Sequence, residues 1–328
     1  MDRFLALPES DRRAVFLQTA ARMGRIDPSA VEKDFWICLF LKRIFESPLR
    51  ERLVFKGGTS LSKAFHLIER FSEDIDLVLD ARSNPVGELE PTPSRKREKR
   101  FVEALVTWSE REVRESILPA VSALCPSGCV ASLVPDSPGS IAISYPKTFP
   151  TGYLRPEILL EIGARGAWIP HGRIMIESFA AKAYPGLFAK PQAMVVATLP
   201  ERTFWEKVAV LHSLALLPDE RPVPRRASRH YYDAVMLARS STVRSDAFGN
   251  PQLSEDVIAF SDRFFRQSWT HEHPPRPGAI RLVPPPRVEA ALRDDYGAMQ
   301  EMIWGEAPAF EDILAELHRL ETDINARQ

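Results

Sequence analysis

Apolar side chains recur along this chain at two spacings, and the spacings divide it into regions. Up to about residue 48 the pattern is helical. Asp27-Pro28-Ser29 predicts the start of a second helix there, with proline tolerated in the first turn and Ser29 and Glu32 spaced as a capping box. Short apolar runs bounded by turn residues follow and predict strands. These are Leu53-Val54-Phe55, the alternating Asp74-Ile75-Asp76-Leu77-Val78-Leu79, a pair at 130–134 and 141–145, and Ile158-Leu159-Leu160-Glu161-Ile162. A helix through Leu61, Ala64, Phe65 and Ile68 is predicted between the first two strands. Residues 81–94 carry prolines and no period, so a loop is expected, followed by a helix over 96–117 that stops near Pro119. From about residue 199 the helical period returns. Helices are predicted from Pro200 to Leu216, from Arg229 through Val235 and Leu237, and over 255–267, 287–303 and 310–324. The expected fold class is α+β, a mixed sheet with flanking helices followed by a helical C-terminal domain. The expected division is 1–48, 49–198 and 199–328.

Composition narrows the class. With 328 residues, 45% hydrophobic and 27% charged, the chain has ordinary globular proportions and room for two domains. No apolar run is long enough to span a bilayer and no signal-peptide pattern stands at the start, so a cytoplasmic protein without a membrane partner is expected. Three cysteines, Cys38, Cys125 and Cys129, fit a reducing compartment, and the last two lack a second pair for a metal. A formal net charge of −1 argues against bulk polyanion binding, but basic runs at 94–100 and 221–230 survive that average. His271-Glu272-His273 lies in a proline-rich loop with no third ligand near it in sequence.

The candidate chemistry lies between residues 55 and 79. Gly57-Gly58 ends an apolar strand, permits positive φ and lets the backbone approach a ligand. Thr59 or Ser60 can then cap a helix whose free N–H groups favour an anion. Asp74 and Asp76 are two residues apart, so on a strand both point to one face while Ile75, Leu77 and Leu79 take the other. Two like charges so placed repel, and a divalent cation with a preference for oxygen ligands relieves them. Glu161, a single carboxylate in an otherwise apolar strand, needs a cation or an ionic partner, with Arg165 or Lys182 as alternatives to a metal. Glu157 is a weaker candidate beside Pro156.

Lys56-Gly57-Gly58-Thr59-Ser60-Leu61-Ser62-Lys63 followed by Arg70-Phe71-Ser72-Glu73-Asp74-Ile75-Asp76-Leu77 resembles the motif of the AbiEii/AbiGii-type toxin nucleotidyltransferases. These are a branch of the DNA-polymerase-beta-like superfamily. Val31-Glu32-Lys33-Asp34-Phe35-Trp36-Ile37 and the C-terminal helices resemble the same family. The resemblance implies a polymerase-beta-like core whose active site is completed by the C-terminal domain. It implies one or two Mg²⁺ ions on Asp74, Asp76 and Glu161, with an NTP as substrate. It also implies a nucleotide-binding set of Lys56, Gly57, Gly58, Thr59, Ser60, Lys63 and Arg70, and places Lys207, Asp233 and Ser72 among the catalytic residues. Lys207 would meet triphosphate charge. Asp233 would orient that lysine or act as a base, unless it only makes a structural hydrogen bond. Ser72 would orient the site or itself be modified. The implied activity is transfer of NMP to an RNA hydroxyl, at a tRNA 3′ end, by the toxin of a toxin–antitoxin or phage-defence module with a cognate antitoxin. An NTP-dependent kinase, a protein-nucleotidylating enzyme and a non-catalytic nucleotide-binding regulator remain as alternatives.

Overall fold

The computed structural model describes residues 1–326 apart from 25, 83, 91–92, 151–153, 167, 271–272 and 277. The chain forms two compact units. The first comprises Met1–His66 and Phe71–Thr198, and the second Leu67–Arg70 and Leu199–Gln328.

The first unit holds α1 (Asp2–Leu5), α2 (Glu9–Met23), α3 (Pro28–Phe45), β1 (Leu53–Lys56), α4 (Gly57–Lys63), β2 (Asp74–Leu79), α5 (Arg95–Glu112), α6 (Leu118–Leu124), β3 (Val130–Val134), β4 (Ser137–Ser144), β5 (Ile158–Gly163), β6 (His171–Glu177), α7 (Phe179–Ala183) and β7 (Gln192–Thr198). Its seven strands make one mixed sheet in the order β3-β4-β5-β2-β1-β7-β6. The β1/β7 and β2/β5 pairs are parallel and the remaining pairs antiparallel. This is the mixed sheet with flanking helices that the pattern predicts.

Alternation along β2 sorts its side chains as expected. Ile75, Leu77 and Leu79 are buried, while Asp74 and Asp76 are half-buried on the other face. The helix α3 packs on β7 and β5 and is buried on nearly every side, including the charged run Glu32-Lys33-Asp34.

Local readings are corrected in several places. Asp27 caps α3 by accepting from the Ser29 amide at 2.8 Å, and Glu32 makes no capping box. Glu32 instead accepts from the Thr148 amide and hydroxyl, both at 2.9 Å, so loop satisfaction outcompetes the local cap. The helix after Gly57 ends at Lys63 rather than running to Ile68. The helix α5 does not stop near Pro119. It passes through a π-helical turn, Val113–Ile117, into α6, and Pro119 directly follows that turn, whose altered hydrogen-bond spacing accommodates a residue with no N–H to donate. Strands β6 and β7 were not anticipated.

The second unit is helical: α8 (Pro200–Ala215), α9 (Ser228–Arg239), α10 (Ser241–Gly249), α11 (Pro251–Phe265), α12 (Pro286–Met299) and α13 (Phe310–Asn325). Leu67–Arg70 joins it through an antiparallel bridge between Arg70 and Ile303. Among the described residues no helix is long and apolar enough to cross a membrane.

Candidate active site

The Gly turn and the acidic strand meet at a single point. Lys56 and Asp76 are cross-strand partners, which puts the turn that follows Lys56 beside the Asp76 carboxylate. Gly57 has φ +79°, and a Cβ there would lie 1.9 Å from Asp76 Oδ2. Glycine is therefore required twice, for the backbone conformation and for the space that the carboxylate fills. Thr59 is buried, and its hydroxyl donates to the Asp74 carbonyl at 2.5 Å, fastening the first turn of α4 to β2. Ser60 Oγ donates to the Gly57 carbonyl at 2.8 Å and closes the turn on itself. The Ser72 carbonyl lies 3.3 Å from Thr59 Oγ1, so its backbone belongs to the same fastening.

In register, Asp76 stands beside Glu161 and Asp74 beside Leu159 on parallel strands, so the three carboxylates share one sheet face. Glu161 is exposed, and this removes the burial cost that singled it out in the sequence. Among the described residues, no three His, Cys, Asp or Glu side chains are gathered closely enough to hold a metal between them.

The pair itself fits a cation. Asp74 Oδ1 is buried without a hydrogen-bond partner, and burial together with the Glu73 and Asp76 charges raises the Asp74 pKa. An orphaned carboxylate oxygen held next to a second carboxylate is costly until a cation or proton meets it. Asp74 and Asp76 are the residues that would hold Mg²⁺.

Both halves of the motif are gripped by consecutive residues of α3. Lys33 Nζ donates to Glu73 Oε2 and to the Arg155 carbonyl, each at 3.0 Å. Asp34 pairs with Lys63 Nζ at 2.5 Å and accepts from the Phe179 amide at 2.7 Å. Lys63 also lies 3.5 Å from the centre of the Phe179 ring. The structure thus places Lys63 in a buried ion pair at the end of α4. Lys56 is half-buried, and among the described residues it makes no ion pair. Lys33, Asp34 and Glu73 fall within the stretches that resemble the family, but none of them was named as a site residue. The signal available was three charges in succession within a helix apolar on all sides.

The remaining predicted residues assemble within the second unit. Arg70 holds Asp233 bidentately, Nε to Oδ1 at 2.7 Å and Nη2 to Oδ2 at 2.9 Å. Lys207 Nζ lies 2.8 Å from Asp233 Oδ2 and 3.1 Å from His230 Nδ1. Asp233 is fully buried. Burial would raise its pKa, but Arg70 and Lys207 outweigh that and hold it well below the usual carboxylate range. So depressed a carboxylate is a poor base, and the geometry favours the orienting role over proton abstraction. Burial lowers the Lys207 pKa, partly offset by Asp233. His230 is pushed well below the usual imidazole value by burial, Lys207 and Arg229, against Asp233.

A model of the family described as "Nucleotidyl transferase AbiEii toxin, Type IV TA system" matches residues 39–316. The chain belongs to this family of nucleotidyltransferase toxins. Membership implies an antitoxin as partner. No curated protein matches the chain. Among solved structures it is similar to MenT4, a nucleotidyltransferase toxin of Mycobacterium tuberculosis H37Rv, at 17% identity and a TM-score of 0.44, covering 96% of this chain and 98% of that one. It is also similar to a candidate nucleotidyltransferase of H. pylori, at 15% identity and a TM-score of 0.46, covering 92% of this chain and 97% of that one. His271 and Glu272 lie outside the described residues. The His273 carbonyl lies 2.8 Å from His212 Nε2, a structural hydrogen bond.

Two expectations arise directly from this geometry. Gly57→Ala is expected to lose at least about 100-fold in activity, because the methyl group displaces Asp76. Its forced left-handed alanine should also cost roughly 1–2 kcal/mol of stability. Steady-state kinetics beside a denaturant titration checks both, and wild-type activity in the variant would deny the close approach of turn and carboxylate.

The second concerns pH. His230 is neutral when folded and ionises when unfolded, so the unfolded state binds the extra proton below about pH 6.5. Stability should therefore be full above that pH and fall as the pH drops, by up to about 1.4 kcal/mol per unit from this residue. Urea titrations from pH 7.5 to 5 on wild type and His230→Gln measure it, and equal slopes in the two proteins would exclude His230 as the source.

Proposed function

We propose that this protein is an Mg²⁺-dependent nucleotidyltransferase toxin that transfers NMP from an NTP to an RNA hydroxyl, with a tRNA 3′ end as acceptor. The observation that carries the reading is the Asp74–Asp76 pair set against Gly57, with Asp74 Oδ1 buried and unpartnered. A binding protein without turnover has no need for two mutually repelling carboxylates in one place. When bound, one or two Mg²⁺ ions would offset triphosphate charge and lower the pKa of the attacking hydroxyl. Asp74 and Asp76 would hold the ion, with Glu161 on the same face as a third carboxylate.

Gly57-Gly58 leaves room for phosphate oxygens to approach the backbone, and Thr59 and Ser60 fix that turn. Lys56 supplies the positive charge closest in sequence to the turn. Lys63 and Arg70 are engaged by Asp34 and Asp233, so their part is to hold the site's elements. Lys207, fixed by Asp233, meets phosphate charge in this reading. The acceptor oxygen bonds to the α-phosphorus as the bond to the bridging β-oxygen breaks. The hydroxyl proton passes to solvent water and pyrophosphate leaves. A tRNA end is single-stranded and suits recognition through backbone and stacking contacts. Acting on RNA, such an enzyme would serve toxin–antitoxin or phage-defence biology in the cytoplasm.

The released product tests the reaction class. Incubation with NTP, Mg²⁺ and bulk tRNA should release pyrophosphate in step with NTP loss. Stoichiometric NDP instead would mean a kinase, and pyrophosphate release without RNA, on added protein, would mean a protein-nucleotidylating enzyme.

A further inference from the structure

Helix α5 is built with its charges reversed. Arg95, Lys96, Arg97, Lys99 and Arg100 outnumber the single acid Glu98 in its first two turns, and Glu110 and Glu112 flank Arg111 in its last. The helix dipole favours the opposite arrangement, anions first and cations last, by about 0.3–1 kcal/mol per charge. Ser94 at the N-cap makes no side-chain capping bond to offset this. The i,i+4 pairs Arg95/Lys99 and Lys96/Arg100 also bring like charges together. All five cations are exposed. Arg97 pairs with the exposed Glu90 at 2.7 Å and Lys99 lies 3.8 Å from Glu103, while Arg95, Lys96 and Arg100 make no ion pair among the described residues. The fold gains nothing from this arrangement, since α5 anchors itself further along through Leu105 and Trp108.

The other basic run differs. Its backbone is drawn inward, the Arg226 and Ser228 amides donating to Asp295 at 2.8 and 2.9 Å, and Arg221 lies against the Trp269 ring. Among the described residues, the cations of the α5 run make no such inward contacts.

We propose that the first two turns of α5 are a docking surface for the phosphate backbone of RNA. A protein partner would need apolar anchors, and residues 94–100 contain none. A phosphate backbone needs only exposed cations whose counterions it can release. The site rests on the reading above that the acceptor is RNA, and it would keep the acceptor near the enzyme without reading its sequence.

The test is fluorescence anisotropy with labelled, unfractionated tRNA on full-length wild type and on the combined variant Arg95→Gln, Lys96→Gln, Arg100→Gln, across a salt series. No turnover is needed, so failure of the docking surface is separable from failure of the nucleotidyl-transfer reading. The variant is expected to bind tRNA roughly 10–100-fold more weakly at low salt. Its log–log salt slope should be shallower by about two, from three lost contacts on a single strand. Its melting temperature should be equal or higher, because unfavourable charges are removed, and its NTP affinity unchanged. Unchanged tRNA affinity and slope would overturn the proposal. So would a variant that keeps tRNA binding but loses binding to vesicles of phosphatidylserine and phosphatidylcholine, which would make the patch a membrane contact.

Discussion

Asp76→Asn is expected to lower nucleotidyl transfer by about 10³-fold or more, and Asp74→Asn by a similar factor, with little change in folding. Removing one carboxylate forfeits several kcal/mol of charge stabilisation where the cation and triphosphate meet, and each 1.36 kcal/mol is a factor of ten. The stability of Asp74→Asn should rise or stay level. Asp74 Oδ1 has no partner to lose, and the mutual repulsion with Asp76 disappears. This opposition of sign separates a functional pair from a structural one. Melting temperature and single-turnover rate measured on the same preparations decide it. A large drop in melting temperature with activity retained would assign the pair to the fold instead.

Asp233→Asn is expected to be the most destabilising single substitution in the second unit. It keeps the shape of the side chain and removes the charge that satisfies Arg70 and Lys207 in a fully buried position. Leaving buried charges uncompensated costs about 3–5 kcal/mol. Adding Arg70→Gln should recover part of the loss, with a coupling of roughly 0.5–3 kcal/mol. The folded-state pKa of Asp233 lies below its unfolded value, so its contribution is present above about pH 4 and is lost only as pH falls towards the depressed value. A thermal melt at pH 7 with a double-mutant cycle measures both. If Asp233 were instead a general base, Asp233→Asn would keep wild-type stability and lose activity alone.

How much could be read beforehand follows the range of each interaction. The Gly turn and the acidic strand were legible because their logic is local: a two-residue period places Asp74 and Asp76 on one face, and a Gly-Gly pair announces a turn. Lys207 and Asp233 were named through family likeness, and their contact joins residues on two helices of the second unit, α8 and α9. The partners of Lys63 and Arg70 were not legible. Both looked like phosphate-binding cations, and both are held by carboxylates distant in sequence, Asp34 and Asp233. Glu161 shows the reverse, a carboxylate that looked buried in its run yet is exposed on the sheet. Strands β6 and β7 escaped because Met175 and Met194, cross-strand partners, are both exposed and blur the alternation that marks a half-buried strand. The join of α5 to α6 escaped because a π-helical turn accommodates Pro119, which local propensity reads as a stop.

If the Asp74–Asp76 pair supports transfer of a nucleotide to RNA, the position of the transferred label shows it. The full-length protein is incubated with Mg²⁺ and bulk tRNA, once with NTPs labelled at the α-phosphate and once at the γ-phosphate, and the RNA is resolved on a denaturing gel. Label is predicted to enter RNA from the α-position only, and to be absent with Asp76→Asn. Label entering from the γ-position, or α-label persisting in Asp76→Asn, would contradict the account.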